Sequence, residues 1–344
     1  DRWGRRKPLV LAGYGLAALT KPLLALAYGW PLVLAARVLD RFGKGVRGSP
    51  RDAIIANSTP PGLRGRAFGF QRSGDSIGAV LGPLAALAIL AALHDDYRAA
   101  FLIAFVPGLV STLLILPVRD AATPRRAGAL LSFDFRSANP ALRCFLVVTL
   151  LFSIGNSSDM FLILRASQLG AASTIAVLLF AVCNSLNVFS SYPAGIVSDR
   201  LGRKRVLVAG FALFAAVYLG FGLARSLAPL WMLFAAYGVY LGLTDGVAKA
   251  YLVDLVPASE RGAALGMQAT VVSVCTLPAS VAAGWLWHSA GPAAPFFYGA
   301  LMAVAATVLL ASGPTPSPPS PSSETPGRTP IPGPAPRAPG SPRS

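Results

Sequence analysis

Ten apolar segments, each about long enough to cross a bilayer, account for most of this chain: 8–29, 31–57, 65–93, 98–118, 140–164, 172–197, 205–225, 229–256, 261–287 and 292–312. A helix needs about 20 mainly apolar residues to cross the hydrocarbon layer. Water is absent there, so every backbone N–H and C=O must be bonded within the protein. Segments of this length satisfy that requirement as helices, and the Gly, Pro and charged interruptions are tolerated where neighbouring helices supply partners. The expected fold class is therefore an all-α integral membrane protein. Composition agrees: 54% of the residues are hydrophobic and 13% charged, where soluble domains carry about 25% charge. A soluble enzyme, a disordered chain and a disulfide scaffold are all excluded. Cys144, Cys183 and Cys275 lie inside apolar segments and read as small core hydrophobes. Residues 313–344 hold 12 of the 29 prolines, cannot bury a core and are expected to be disordered.

The net charge of +16 is distributed unevenly. Nineteen of the thirty Lys and Arg residues fall in the N-terminus, alternate loops and the tail, three (Arg98, Arg165, Arg225) in the intervening loops, and eight inside segments. Basic loops stay on the cytoplasmic side. The bias places the N-terminus, the 119–139 linker and the tail in the cytoplasm. The charge thus reports topology, and the expected partner is a lipid bilayer rather than nucleic acid, since no soluble domain gathers the cations into a patch.

The chain also repeats itself. Asp1-Arg2-Trp3-Gly4-Arg5-Arg6-Lys7 matches Asp199-Arg200-Leu201-Gly202-Arg203-Lys204-Arg205 at an offset of 198, and Arg64-Gly65-Arg66 through Gln71 matches Arg261-Gly262-Ala263 through Gln268 at 197. An even number of segments separates the paired anchors, so both halves have the same orientation and are related by an axis along the membrane normal, as in two-domain transporters. The second half has two segments before its Asp199 loop; the first half starts at its Asp1 loop. By symmetry, ten of twelve transmembrane helices are expected here, with about 60 residues and two helices upstream. The expected organisation is an N-terminal bundle at 1–118, a cytoplasmic linker at 119–139, a C-terminal six-helix bundle at 140–312 and the tail at 313–344.

Gly195-Ile196-Val197-Ser198-Asp199-Arg200-Leu201-Gly202-Arg203-Lys204-Arg205 resembles motif A of the major facilitator superfamily, and residues 1–7 resemble its other copy. The resemblance covers residues 1 to about 312. It implies a conformational latch carried by Asp1, Gly4 and Arg5 and by Asp199, Gly202 and Arg203, in which the acid favours a helix N-terminus and the arginine a partner carboxylate. Gly69, Gly78, Gly82 and Pro83 resemble motif C of the drug:proton antiporters, although Ala86-Leu87 replace its following Gly-Gly. Since Gly74, Gly78 and Gly82 recur every four residues, they are expected to form a close-packing seam with a bend at the proline. Arg41-x-x-Lys44-Gly45 is similar to motif B, which implies a link between Arg41 and proton coupling.

Segment 31–57 carries the densest polar chemistry: Arg37, Asp40, Arg41, Lys44, Arg47, Arg51 and Asp52. At 100° per residue all seven occupy an arc of about 140°. Ionised groups facing lipid cost about 2.5–3.5 kcal/mol each on insertion scales, so this face is expected to line a cavity or pair with neighbouring helices. Asp40 and Lys44, four apart, are expected to pair, and so are Asp245 and Lys249. The arc keeps a surplus of three positive charges, which suits an anionic or polar substrate. Partly desolvated carboxylates in such a cavity can load and release protons; the candidates are Asp40, Asp75 and Asp159, in that order, with Asn156 beside Asp159.

The expected function is secondary, proton-coupled efflux of a small organic solute or drug across the inner membrane by alternating access. The expected partners are the solute, protons and the bilayer, with the protein acting as a monomer. Two rivals remain: a proton-linked importer of an organic anion, and a non-transporting membrane sensor or inactive fragment. No nucleotide-binding loop, metal-ligand spacing or nucleophile constellation marks an enzyme, and no cofactor or metal is expected. The topology is directly testable. In a background lacking the three native cysteines, Ala127→Cys should react with a membrane-impermeant maleimide only from the cytoplasmic side, and Ala172→Cys only from outside. The reverse pattern would overturn the charge-bias argument.

Overall fold

The computed structural model describes residues 6–94, 96–118, 120 and 139–314. Asp1, Gly4 and Arg5, most of the 119–139 linker and the tail from 315 onward lie outside the described residues. Among the described residues the secondary structure is helical: α1 (Lys7–Ala25), α2 (Trp30–Ser58), α3 (Arg64–Ala92), α4 (Tyr97–Leu113), α5 (Pro140–Gly155), α6 (Met160–Gln168), α7 (Ser173–Leu201), α8 (Arg203–Leu223), α9 (Ala228–Asp254), α10 (Arg261–Ser289) and α11 (Ala294–Ser312), with a 3-10 turn at Pro61–Leu63. These follow the ten expected segments, except that α5 and α6 divide one of them. Eight stretches are long and apolar enough to span a membrane, α5 and α6 counting together as one. Helix α4 is apolar but has only 17 residues. Helix α2 is long enough, at 29 residues, and is kept from that class by its charges.

The helices assemble in two groups. In the first, α1 packs on α2 and α4. In the second, α5 packs on α10 and α11, and α8 on α9 and α11. Helix α3 joins them by lying against α7 and α9, and α2 meets α10. The second group holds the aromatic core: Phe214 stacks on Tyr218 at 3.9 Å and Phe152 on Phe211 at 4.3 Å between ring centroids. Such rings bury large apolar areas and add offset-stacking energy beyond area alone.

The α3–α7 contact depends on missing side chains. A Cβ on Gly65 would lie 2.6 Å from the Gly195 carbonyl oxygen and 2.7 Å from Asp199 Oδ1, and a Cβ on Gly195 would run into the backbone of Gly65. One turn further on, a Cβ on Gly69 would sit 2.5 Å from the Ser191 carbonyl oxygen, while Gly246 of α9 faces the backbone of Phe68 and Gly69. Backbones approach this closely only where small residues allow it. Ser73 still reaches α7, donating to the Val188 carbonyl at 2.9 Å. Beyond it the expected seam differs from the structure. Nothing among the described residues comes within 4 Å of a Cβ built at Gly74, Gly78 or Gly82, and the stretch around Pro83 is exposed. The packed side of α3 stays buried through Ser76 and is exposed from Leu81 onward, so the close-packing glycines are Gly65 and Gly69, and of the motif C glycines Gly69 alone lies in the contact.

A second difference concerns segment 140–164, expected as one helix. It is broken at Asn156–Asp159, between α5 and α6. Gly155, Asn156, Ser157 and Ser158 are weak helix formers, and Asn and Ser side chains compete for backbone groups. Helix α6 is then held from its far side. Buried Arg165 donates to the carbonyls of Phe221, Gly222 and Ala224 at 3.2, 3.4 and 2.9 Å, satisfying the otherwise orphan C-terminal end of α8.

Overpacking a core costs about 1–3 kcal/mol when flexible side chains can yield; at Gly195 the obstacles are backbone atoms, and at Gly65 they include the Gly195 carbonyl. Gly65→Leu or Gly195→Leu should therefore lower the thermal stability of the purified protein markedly, whereas Gly78→Leu should leave it nearly unchanged, as read by a melting assay in detergent.

Candidate functional site

The densest polar cluster lies at the basic face, where α2, α7 and α9 end and α3, α8 and α10 begin. Helix α3 has no N-cap from its own chain neighbours. The Asp199 carboxylate supplies one from α7: Oδ1 accepts from Gly65 N–H and Oδ2 from Arg66 N–H, both at 2.9 Å. The side chain of Asp199 is 2% exposed. A carboxylate on the free N–H groups of a helix start satisfies orphan donors and complements the helix dipole. Gly202 makes the arrangement possible. At φ +94° it turns the chain between α7 and α8 without a gap, in a region that costs other residues strain. Helix α8 then begins at Arg203, whose guanidinium bonds Asp199 at 3.3 Å, the Ala250 carbonyl at 2.8 Å, the Pro61 carbonyl and Asp254.

Two further arginines cross between the groups. Arg64 of α3 donates to Asp254 of α9 at 2.7 Å and to the Ala56 carbonyl at 3.3 Å. Arg261 of α10 donates to Asn57 of α2 at 2.9 Å and to the Val253 carbonyl at 3.4 Å. The 197-residue repeat maps Arg64 onto Arg261, Ala56 onto Val253 and Asn57 onto Asp254, so these are two copies of one contact. The same offset maps Asp52 of α2 onto Lys249 of α9, and these two equivalent positions meet each other at 2.8 Å. The pair therefore sits on the pseudo-two-fold axis, with Asp52 only 7% exposed.

Deeper in the membrane, Arg72 of α3 pairs with Asp245 of α9 at 2.6 Å, each about a third exposed. Arg51 bonds Asp52 at 3.1 Å and reaches Asp75 of α3 at 3.7 Å; Asp75 also accepts from Gln71. The expected Asp245–Lys249 pairing along one helix does not occur. Each residue is matched across a helix interface instead, Asp245 by Arg72 of α3 and Lys249 by Asp52 of α2.

The arc on α2 divides. Asp40 pairs with Lys21 of α1 at 3.2 Å and lies 4.0 Å from Arg41, so the expected Asp40–Lys44 pair is also replaced by an inter-helix one. Arg47 lies over the Tyr14 ring, 4.0 Å from its centroid. Arg37, Arg41 and Lys44 are exposed. Of the three candidate carboxylates, Asp40 is thus engaged within its own group, and Asp75 borders the interface. Asp159 lies at the α5–α6 break, accepting from the Tyr237 hydroxyl of α9 at 2.7 Å, with Asn156 accepting from Tyr218 of α8 at 3.4 Å.

Lys21, Asn57, Asp254, Tyr218 and Tyr237 were not singled out from the sequence. Lys21 carried a signal, as a lone cation in an apolar segment, and the repeat offset leads from Asn57 to Asp254. The tyrosines carried none, because an aromatic residue on a buried helix reads as core.

Two pseudo-symmetric groups of membrane helices, joined by reciprocal polar contacts at one face, define a polytopic carrier. The Major Facilitator Superfamily model matches residues 1–189 and again 145–341. The chain belongs to this family. It is 35% identical over 316 residues, 90% of this chain and 79% of the relative, to an uncharacterised MFS-type transporter of Methanocaldococcus jannaschii. It is 24% identical over 327 residues, 90% of this chain and 80% of the relative, to sugar efflux transporter B of Salmonella typhimurium. Among solved structures, the fucose:proton symporter of E. coli superposes with a TM-score of 0.74 at 13% identity, covering 89% of this chain and 83% of that one. The protein is a multi-pass membrane transporter of this superfamily.

Removing one partner from an inter-helix ion pair leaves the other charge unmatched at membrane depth. Arg72→Ala and Asp245→Ala should each destabilise the protein, and the double variant should cost less than their sum, with a coupling of about 0.5–3 kcal/mol in a double-mutant cycle of unfolding. Additive losses would show that the pair is not energetically coupled.

Proposed function

We propose that this protein is a secondary transporter of the inner membrane that exports a small organic solute by alternating access, coupled to protons and acting as a monomer. The observation that carries the reading is the one-sided closure of the two groups. At the basic face, Asp199, Arg203, Arg64, Arg261 and the Asp52–Lys249 pair span the interface. Towards the opposite face α3 is exposed all round from Leu81 to Ala88, and its Gly74, Gly78 and Gly82 meet no neighbour within 4 Å. With the basic face in the cytoplasm, as the positive-charge bias requires, this is an outward-facing state, and Asp199 with Gly202 and Arg203 is the latch that holds it. Opening inward means withdrawing the Asp199 carboxylate from the α3 N-terminus and parting the axial pair. A site alternately open to each side moves solute without a continuous pore, and ion coupling needs a carboxylate that titrates within it.

Export is favoured by the motif C resemblance at Gly69, Gly78, Gly82 and Pro83 and by the efflux activity that the Salmonella relative's name records. A second reading, import of an organic anion, is favoured by the exposed cations Arg37, Arg41 and Lys44 on one side of α2. Both are tested in everted vesicles loaded with a pH-sensitive dye and challenged with sugars, organic anions and amphipathic cations. Export by proton antiport predicts a solute-dependent dye response that an uncoupler abolishes. Loss of two charge-assisted hydrogen bonds, about 1.5–3 kcal/mol each, should make Asp199→Ala populate the inward-facing form and lower transport at least tenfold. Solute movement indifferent to the pH gradient would refute proton coupling, and uptake in intact cells driven by the same gradient would reverse the direction.

A further inference from the structure

The break in the α5–α6 segment places a carboxylate where an unbroken helix would not. Asp159 is the last residue of the break, and its Oδ1 is held at 2.7 Å by the Tyr237 hydroxyl. Tyr237 lies nine residues from the start of α9, so the carboxylate sits on the order of 13 Å below the outer end of that helix. Among the described residues no lysine or arginine nitrogen forms an ion pair with Asp159. This separates it from Asp40, tied to Lys21, and from Asp52, tied to Lys249 and Arg51.

The charged and titratable groups around Asp159 come from four other helices. Tyr237, Tyr240 and Asp245 face it from α9, Arg72 from α3, Tyr218 from α8 and Cys183 from α7. A phenol or a thiol carries no positive charge in either protonation state, so the tyrosines and Cys183 offer no counter-charge. Arg72 does, and it is already engaged by Asp245 at 2.6 Å, about two turns deeper along α9. The centre between the two groups therefore holds two carboxylates and one guanidinium, a net charge of −1 when both acids are ionised. Enclosing an uncompensated charge away from water is costly, so occlusion requires the centre to be neutral.

We infer that Asp159 is the carboxylate that carries the coupling proton, that Tyr237 is its positioning residue, and that its charge state acts on the Arg72–Asp245 pair joining the two groups. This rests on the proton-coupled reading above and names the residue responsible. A proton arriving from the outer solution adds to the free Oδ2 while the Tyr237 hydroxyl keeps Oδ1 in place. No other bond forms or breaks. The centre becomes neutral, with Arg72 matched by Asp245, and the outer halves can close over it. Release of the proton on the other side restores the unmatched negative charge and opposes reclosure.

The experiment uses the proton itself as the probe. In the full chain with its three cysteines changed to Ala, spin labels go on Leu87→Cys of α3 and Val177→Cys of α7, both exposed near the outer ends. Their separation is then measured from about pH 5 to about pH 9. The expected result is a shift between two distance distributions, abolished in Asp159→Asn, retained in Asp159→Glu, and displaced in midpoint but retained in Tyr237→Phe, a displacement that a merely structural hydroxyl would not cause. A wild-type response that persists unchanged in Asp159→Asn overturns the assignment and leaves proton coupling standing. A wild-type protein that does not respond to pH overturns both. Should Asp159→Asn fail to fold, Tyr237→Phe decides: an unmoved midpoint removes Asp159 from the role.

Discussion

The closure of this molecule depends on a helix start that cannot satisfy itself. The first N–H groups of α3 have no partner within their own helix, and the residue at the cap position, Leu63, offers none. The Asp199 carboxylate, brought from α7, meets that need and in doing so joins the two groups of helices. The glycines that follow from it are geometrically obligatory. Gly65 and Gly195 must lack side chains for the carboxylate to reach the N–H groups, and Gly202 must turn through positive φ for Arg203 to lie beside it. An interaction of this kind is strong when made and costly when left open, which suits a contact that a transport cycle has to break and remake.

The reciprocal pairs give the same face a second property. Arg64 with Asp254 and Arg261 with Asn57 repeat one contact across the pseudo-two-fold axis, and Asp52 meets its own equivalent, Lys249, upon it. The repeat has diverged in charge where self-pairing would otherwise be repulsive: two identical acids or two identical amines on the axis would face each other at hydrogen-bond distance. One copy carries the acid and the other the amine. At the next level inward the symmetry is abandoned, since Arg72 and Asp245 are not equivalents.

Much of this was legible in the primary structure and some was not. Segment lengths and the loop charges carried the helix pattern, because bilayer thickness and the absence of water leave few alternatives. The Asp199 loop was legible from its repeat. Two ion-pair partners differ from the neighbours that the sequence offered four residues away: Asp40 turned from Lys44 to Lys21, and Asp245 from Lys249 to Arg72. Local spacing describes what an isolated helix can do, whereas in a packed bundle a neighbouring helix offers partners that lie far away along the chain. The glycine spacing misled in the same way, because a smooth helix face becomes a seam only where another helix is present to use it.

By itself, the sequence determined that the chain crosses a membrane repeatedly, which loops share a side, and that it is built from two parallel halves. Those properties follow from length, charge and repetition, which are one-dimensional quantities. Only the tertiary structure decided that α3 leaves its own half to pack on α7 and α9, that segment 140–164 breaks at Asn156–Asp159, and that Asp159 stands beside Tyr237 without a cation of its own. Each of these depends on how closely two backbones approach, and that distance is set jointly by residues more than a hundred positions apart.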